Sequence, residues 1–323
     1  MMKRLESFLA GRVSWPAAVL ASALMLLGGC GSLPDAKPFA EATGILSASA
    51  KASGQALKDS IQGAAAVQQE DQKAYDALAD KFGKAWKSRE LALRGATDYA
   101  NAMVGVVAAS EKSAETASKV ADSLTGLSTA FGVPLAAPAV VTATEVGAFV
   151  WKRVSIVRAS NSLEQALEQA QPAVDRLAAQ LIEDSRRDLN PILIDLRDSV
   201  RAGISKPYDT DQNLLQEFEY VQENLRRRAL KDDRYIGALQ KFDIVKQPLD
   251  MRLAERDRKL EQAAVAYRAR VQLVNAMALA VQSWADAHRD LARAVKEKRK
   301  VSVSELIETA AELRELTKKV RAL

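Results

Sequence analysis

The sequence predicts an all-α fold, an elongated antiparallel helical bundle with long, coiled-coil-like helices. Three observations carry that expectation. Only 5% of the 323 residues are aromatic, and Gly and Pro number 15 and 9, while 48% are apolar with Ala prominent. That composition excludes collagen-like, disordered and disulfide-stapled chains. No window sustains the period-two alternation of a half-buried strand. Two stretches, by contrast, keep an apolar seam in heptad spacing over many turns.

Taken in order, the helical body occupies 39–323. Its first stretch reads as one long helical segment from Phe39 to Val120, weakened early by Gly44, Gly54 and Gly63. A seam passes through Tyr75, Leu78, Phe82, Ala85, Arg89, Ala92, Ala96, Tyr99, Met103 and Val106, with Arg89 its one polar member. The next stretch, 124–151, carries a single charge, Glu145, and holds Pro134 and Pro138. It reads as the apolar tip of a helical hairpin. Its arms are too short to span a bilayer, which takes about 20 residues. Val140, Val141, Val146, Phe149, Val150 and Trp151 are its candidates for shallow membrane contact or partner docking.

A second helical stretch starts near Trp151, with Pro172 expected to kink it. Asn190-Pro191 reads as a cap and first-turn proline opening a fresh short helix to about Ile204. Lys206-Pro207-Tyr208 is a break, and Asp209, Thr210 and Asp211 offer caps for a helix to about Leu230. From Asp250 to Lys298 the seam is clearest, running through Leu260, Ala264, Tyr267, Val271, Val274, Ala278, Val281, Ala285, His288, Ala292 and Val295. Ser302-Val303-Ser304-Glu305 has the form of a capping box for a last helix.

The N-terminus is of another kind. Lys3, Arg4 and Arg12 precede an uncharged apolar run from Ala17 to Leu27, the pattern of a secretory signal over 1–29. The run ends in Leu27-Gly28-Gly29-Cys30, which resembles the lipobox of bacterial lipoproteins: Leu, two small residues, then Cys. The resemblance implies cleavage before Cys30, a diacylglycerol on its thiol, and a short tether over 30–38. It also implies an envelope location. With Gly31 after the Cys rather than the retention Asp, that location is the outer membrane, facing the periplasm. Removing three basic residues and Glu6 lowers the formal charge from +5 to +3, so the balance does not call for nucleic acid.

The inventory is poor in chemistry. His288 and Cys30 are the only residues of their kinds, and nucleophile elbows, zinc-protease motifs and glycine-rich phosphate loops are missing. No metal or cofactor is expected. Asp209-x-Asp211-x-Asn213 starts like a calcium loop but has Leu214 and Tyr220 where Gly and Glu are needed. The basic clusters at Arg226–Arg228 and Arg293–Lys300 are interleaved with acids and read as solvated faces. His288, in a seam, reads as a hydrogen-bonded partly buried imidazole in preference to a neutral-pH switch.

The functional expectation is therefore a non-enzymatic envelope lipoprotein, anchored in the membrane through Cys30. It would serve as a scaffold or adaptor for an envelope protein. The alternative is a membrane-active protein inserting its apolar tip, similar in architecture to α-helical pore-forming toxins. A hydrolase or glycan-binding protein with carboxylates alone is the third.

Overall fold

In the computed structural model the described residues are 34–68, 72–109, 113–132 and 145–323. They form eight α-helices and no strand. The helices are α1 (Lys37–Gln68), α2 (Gln72–Ala108), α3 (Ser113–Ala130), α4 (Glu145–Arg158), α5 (Leu163–Ser205), α6 (Asp209–Ala229), α7 (Ile236–Glu297) and α8 (Ser304–Arg321). The expected all-α bundle is the fold. The C-terminal half of α7 is its axis, packed most extensively on α5 and flanked by α8 and α1, while α2, α3 and α4 close the other side.

Ala makes this central position possible. From Ala269 to Val295, α7 buries Ala276, Ala278, Ala280, Ala285, Ala287 and Ala292 among Leu273, Met277, Trp284 and Leu291. Small side chains let several helices approach one helix on different faces, and large ones fill the space between. The expected seam is buried from Val274 onward, whereas Leu260, Ala264 and Tyr267 are only half-buried.

Several boundaries differ from the sequence reading. The stretch from Phe39 to Val120 is divided among α1, α2 and the first eight residues of α3. The described helices end at Gln68 and Ala108 and resume at Gln72 and Ser113, beside polar runs of the sequence. Trp151 lies inside α4, and a new helix begins only after Ser162. There the Ser162 side chain accepts the Gln165 N–H at 3.1 Å, and the Gln165 side chain accepts the Asn161 N–H at 3.1 Å. Pro191 opens no new helix, because α5 runs through both Pro172 and Pro191. Each proline forfeits one backbone bond, which the burial of Val174, Leu177, Leu189, Ile192 and Leu193 outweighs. The capping box at Ser302 does not form: Val303 is the N-cap, and the Ser302 N–H donates to Asp290 at 2.6 Å.

Arg89, the polar member of the α2 seam, is buried and reaches α5. It pairs with Asp188 at 2.7 Å and donates to Ser185 Oγ at 3.4 Å. A second polar junction lies deeper. His288 is fully buried, its Nε2 2.7 Å from Tyr99 Oη and its Nδ1 2.6 Å from Gln171 Oε1. Gln171 Nε2 donates to the Ala285 carbonyl at 3.1 Å and to Asp175 at 2.7 Å. Both are acceptors, which fixes the amide orientation and makes Oε1 an acceptor. The network therefore assigns the proton to His288 Nδ1, and Nε2 accepts from Tyr99. Phe39 of α1 packs edge-on against the same ring at 6.1 Å. Four helices meet at one imidazole.

Burial, reinforced by the positive charge of Arg289, pushes the His288 pKa down to about 3. The folded chain thus refuses a proton that the unfolded chain takes up below its ordinary value of about 6.5. This contribution to stability is complete above pH 6.5 and is lost as the pH falls towards 3. By linkage the loss reaches about 2 kcal/mol at pH 5. Urea midpoints of the full chain should fall between pH 6.5 and 4.5, and His288→Gln should flatten that slope. An unchanged slope in the variant would show that other groups carry it.

Gly54 explains itself against α2. A Cβ there would lie 2.0 Å from Trp86 Nε1, and that indole donates to the Ala50 carbonyl at 3.1 Å. Gly44, in the same helix, has nothing within 4 Å of such a Cβ. Ala is the better helix former by about 1 kcal/mol, so Gly44→Ala should stabilise. Gly54→Ala should instead destabilise by about 1–3 kcal/mol through overpacking. Thermal melts that move both variants the same way would contradict the close contact of α1 and α2.

Candidate functional site

The residues singled out for contact separate into three groups. Cys30, Val140 and Val141 lie outside the described residues, as do the whole leader and the first four residues of the tether. Val146 and Val150 are buried in the core, on the face of α4 that packs on α3 and α5. They are unavailable to a membrane or partner, which corrects the expectation for them. The described parts of the apolar segment lie mainly in α3 and α4, where Leu124 and Leu127 of α3 are buried as well. Phe149 is partly exposed, with the Arg153 guanidinium 5.3 Å from its ring centre, and Trp151 is half-buried. Of the four that are described, Phe149 and Trp151 are placed where contact is open to them.

A different surface stands out. After the Lys206–Tyr208 turn, α6 packs on α7 and on the short turns at either end of itself. Together α6 and the first third of α7 form a two-helix arm, joined through a short turn at Asp233–Tyr235. At 21 residues, α6 is about 31 Å long. The arm has a thin core. Tyr208, Leu249 and Leu253 are its buried apolar residues, with Leu215 and Phe218 packed against them and Phe218 5.0 Å from Phe242.

Two helices bury one stripe each, so the remaining faces meet solvent. On α6 these carry Leu214, Tyr220 and Val221, and on α7 Ile244, Val245 and Met251. Leu214 and Val221 are seven residues apart, as are Ile244 and Met251, and each pair shares a helix face. Leu230, at the far end of α6, is 88% exposed, and Ile244 is 69% exposed. Between 209 and 253 the arm has eight basic and nine acidic residues, so net charge draws it to neither sign of partner.

The sequence reading passed over this surface because it asked where polarity falls. The arm is charged throughout and hides its apolar residues among ions. The helix extends back to Ile236 but its apolar seam does not, since the earlier heptad positions include Asp243, Lys246, Asp250 and Asp257, so no seam marked the arm.

Chemistry is sparse elsewhere. Among the described residues no group of three or more His, Cys, Asp or Glu could hold a metal, and no helix is long and apolar enough to cross a membrane. No family model, curated protein or solved structure matches the chain.

The exposed arm residues should be dispensable for folding. Leu214→Ser with Ile244→Ser should change stability by less than about 0.5 kcal/mol per site. Leu249→Ala, in the thin core, should cost about 2 kcal/mol. Equal losses in urea denaturation would place the arm's packing elsewhere.

Proposed function

We propose that the chain is a non-enzymatic lipoprotein of the cell envelope, a helical scaffold or adaptor that holds another envelope protein through its α6–α7 arm. The observation that carries this reading is the arm, with apolar residues on the unpartnered faces of two helices. Apolar patches of this kind are a liability in a monomer and an asset at an interface. The lipobox-type sequence at Cys30 supports a lipid anchor in the outer membrane, with the bundle facing the periplasm. A Cys bearing several acyl chains would be held firmly, since each buried CH₂ contributes about 0.8 kcal/mol.

The long helix gives the arrangement its reach. At 62 residues α7 is about 93 Å long, with one end in the bundle core and the other in the arm. A partner seated on the arm would therefore be tied mechanically to the helix on which α5 and α8 pack. The burial of Val146 and Val150 weighs against insertion of the apolar segment into a membrane.

The test is made in cells. A photo-crosslinking amino acid at Leu230 or Ile244 should give a discrete protein adduct, while the same group at exposed Glu308 on α8 should give none. Cys30→Ser should abolish acylation and membrane fractionation and weaken the arm adduct. Adducts of equal yield from Glu308, or none from the arm, would contradict the adaptor reading. Unchanged fractionation of the Cys30 variant would contradict the anchor.

A further inference from the structure

A second feature lies at the foot of the arm, where α1, α5, α7 and α8 meet the Lys206–Tyr208 turn. They enclose a cavity of about 830 Å³. That is within the usual range for sites of small organic ligands, roughly 300–1,000 Å³. Ala64, Val200, Ile204, Pro207, Ala263 and Val320 give it apolar walls. Arg270 lies at its inner side, only 7% exposed.

The bonding of Arg270 is incomplete. Its Nε and Nη2 donate to Ser60 Oγ at 3.0 and 2.7 Å, and Nη2 also reaches the Ser60 carbonyl at 3.3 Å. Nη1 makes no hydrogen bond to any described residue. No described carboxylate pairs with the guanidinium, although Asp59 lines the same cavity. The other buried arginine of the bundle, Arg89, has its carboxylate in Asp188. A buried charge without a partner costs several kcal/mol unless something compensates it.

The surroundings do not supply that compensation. Lys259 and Arg321 add positive charge at the rim, with Lys259 already paired to Glu255 at 2.9 Å and bonded to Tyr208 Oη at 3.2 Å. The Lys206 N–H takes the Ala202 carbonyl at the end of α5, the Ala322 N–H takes those of Lys318, Lys319 and Val320 at the end of α8, and Arg270 bonds only Ser60 among the described residues. Burial pulls the guanidinium pKa down to about 10, which still leaves it charged at neutral pH.

We propose that this cavity binds one anionic amphiphile, a carboxylate or phosphate head on Arg270 Nη1 and a hydrocarbon chain along the apolar walls. A bidentate or single charge-assisted bond would complete the guanidinium, and the chain would displace water from Ala, Val and Ile side chains. The proposal is independent of the arm's role as a docking surface, because neither Leu230 nor Ile244 lines the cavity.

The test uses the full chain in a maltoside detergent, titrated with the fluorescent fatty acid cis-parinaric acid. Saturable one-site binding is expected, displaced by palmitate and dodecyl phosphate but not by dodecyltrimethylammonium or inorganic phosphate. Arg270→Met should weaken binding at least tenfold. Ala266→Trp, which fills the cavity and keeps Arg270, should weaken it as much, with helix content by circular dichroism reporting on the fold. Should Arg270→Met fail to fold, the Ala266 variant decides. Unchanged affinity in a folded variant, or displacement by the cationic amphiphile, would overturn the proposal. Inorganic phosphate that competes as well as dodecyl phosphate would overturn the acyl part and mark a small-anion site.

Discussion

The hydrogen-bonded chain from Tyr99 through His288 to Gln171 is the constraint around which the bundle is organised. An all-Ala and Leu interface between helices tolerates sliding by a turn, because one apolar layer resembles the next. A buried imidazole does not. Shifting α2 or α5 by one turn would strand Tyr99 Oη or His288 Nδ1 in a dry interior, at about 1–3 kcal/mol for each unsatisfied group. Gln171 extends the constraint by binding the Ala285 carbonyl, so α5 is keyed to the backbone of α7 as well as to its side chain. Arg89 and Asp188 repeat the device between α2 and α5, nearer the surface. Polar pairs set the register, and the Ala-rich packing around them supplies the burial.

Stability is consequently uneven along one continuous helix. Residues 269–295 of α7 pack among α5, α8 and α1, while its first third packs on α6 and the short turns at either end of α6. The arm rests on a few apolar contacts and on ion pairs such as Arg252 with Asp211 at 2.9 Å. Asp211 is buried while Arg252 is exposed, so solvent screens this pair from the arginine end. Pro248 removes a further backbone bond near its base. An interaction surface built on such an arm can open or adjust without disturbing the core.

Much of this was legible in the sequence. Heptad spacing located α2 and α7, and the oddities in each seam, Arg89 and His288, proved to be the two polar junctions. What the sequence concealed has physical causes. Pro191 looked like a helix start because local propensity cannot see the tertiary packing that carries α5 through it. Gly54 looked like a weakness because its reason, Trp86, is 32 positions away. Val146 and Val150 looked available because an uncharged run has the same composition whether it faces the core or a partner. Arg270 carried no signal at all: what sets it apart is that none of the described carboxylates pairs with it in three dimensions.

Native-state hydrogen exchange tests the central claim most directly, namely that a polar-keyed core and a thinly packed arm share one helix without sharing one stability. Amides of α7 between Leu273 and Leu291 should exchange only through global unfolding, with the full unfolding free energy and full denaturant dependence. Amides of α6 and of α7 between Ile236 and Lys246 should exchange through smaller openings, at lower free energy and with weak denaturant dependence. A single free energy common to both regions would contradict the account, because it would mean that the arm folds and unfolds as part of the core.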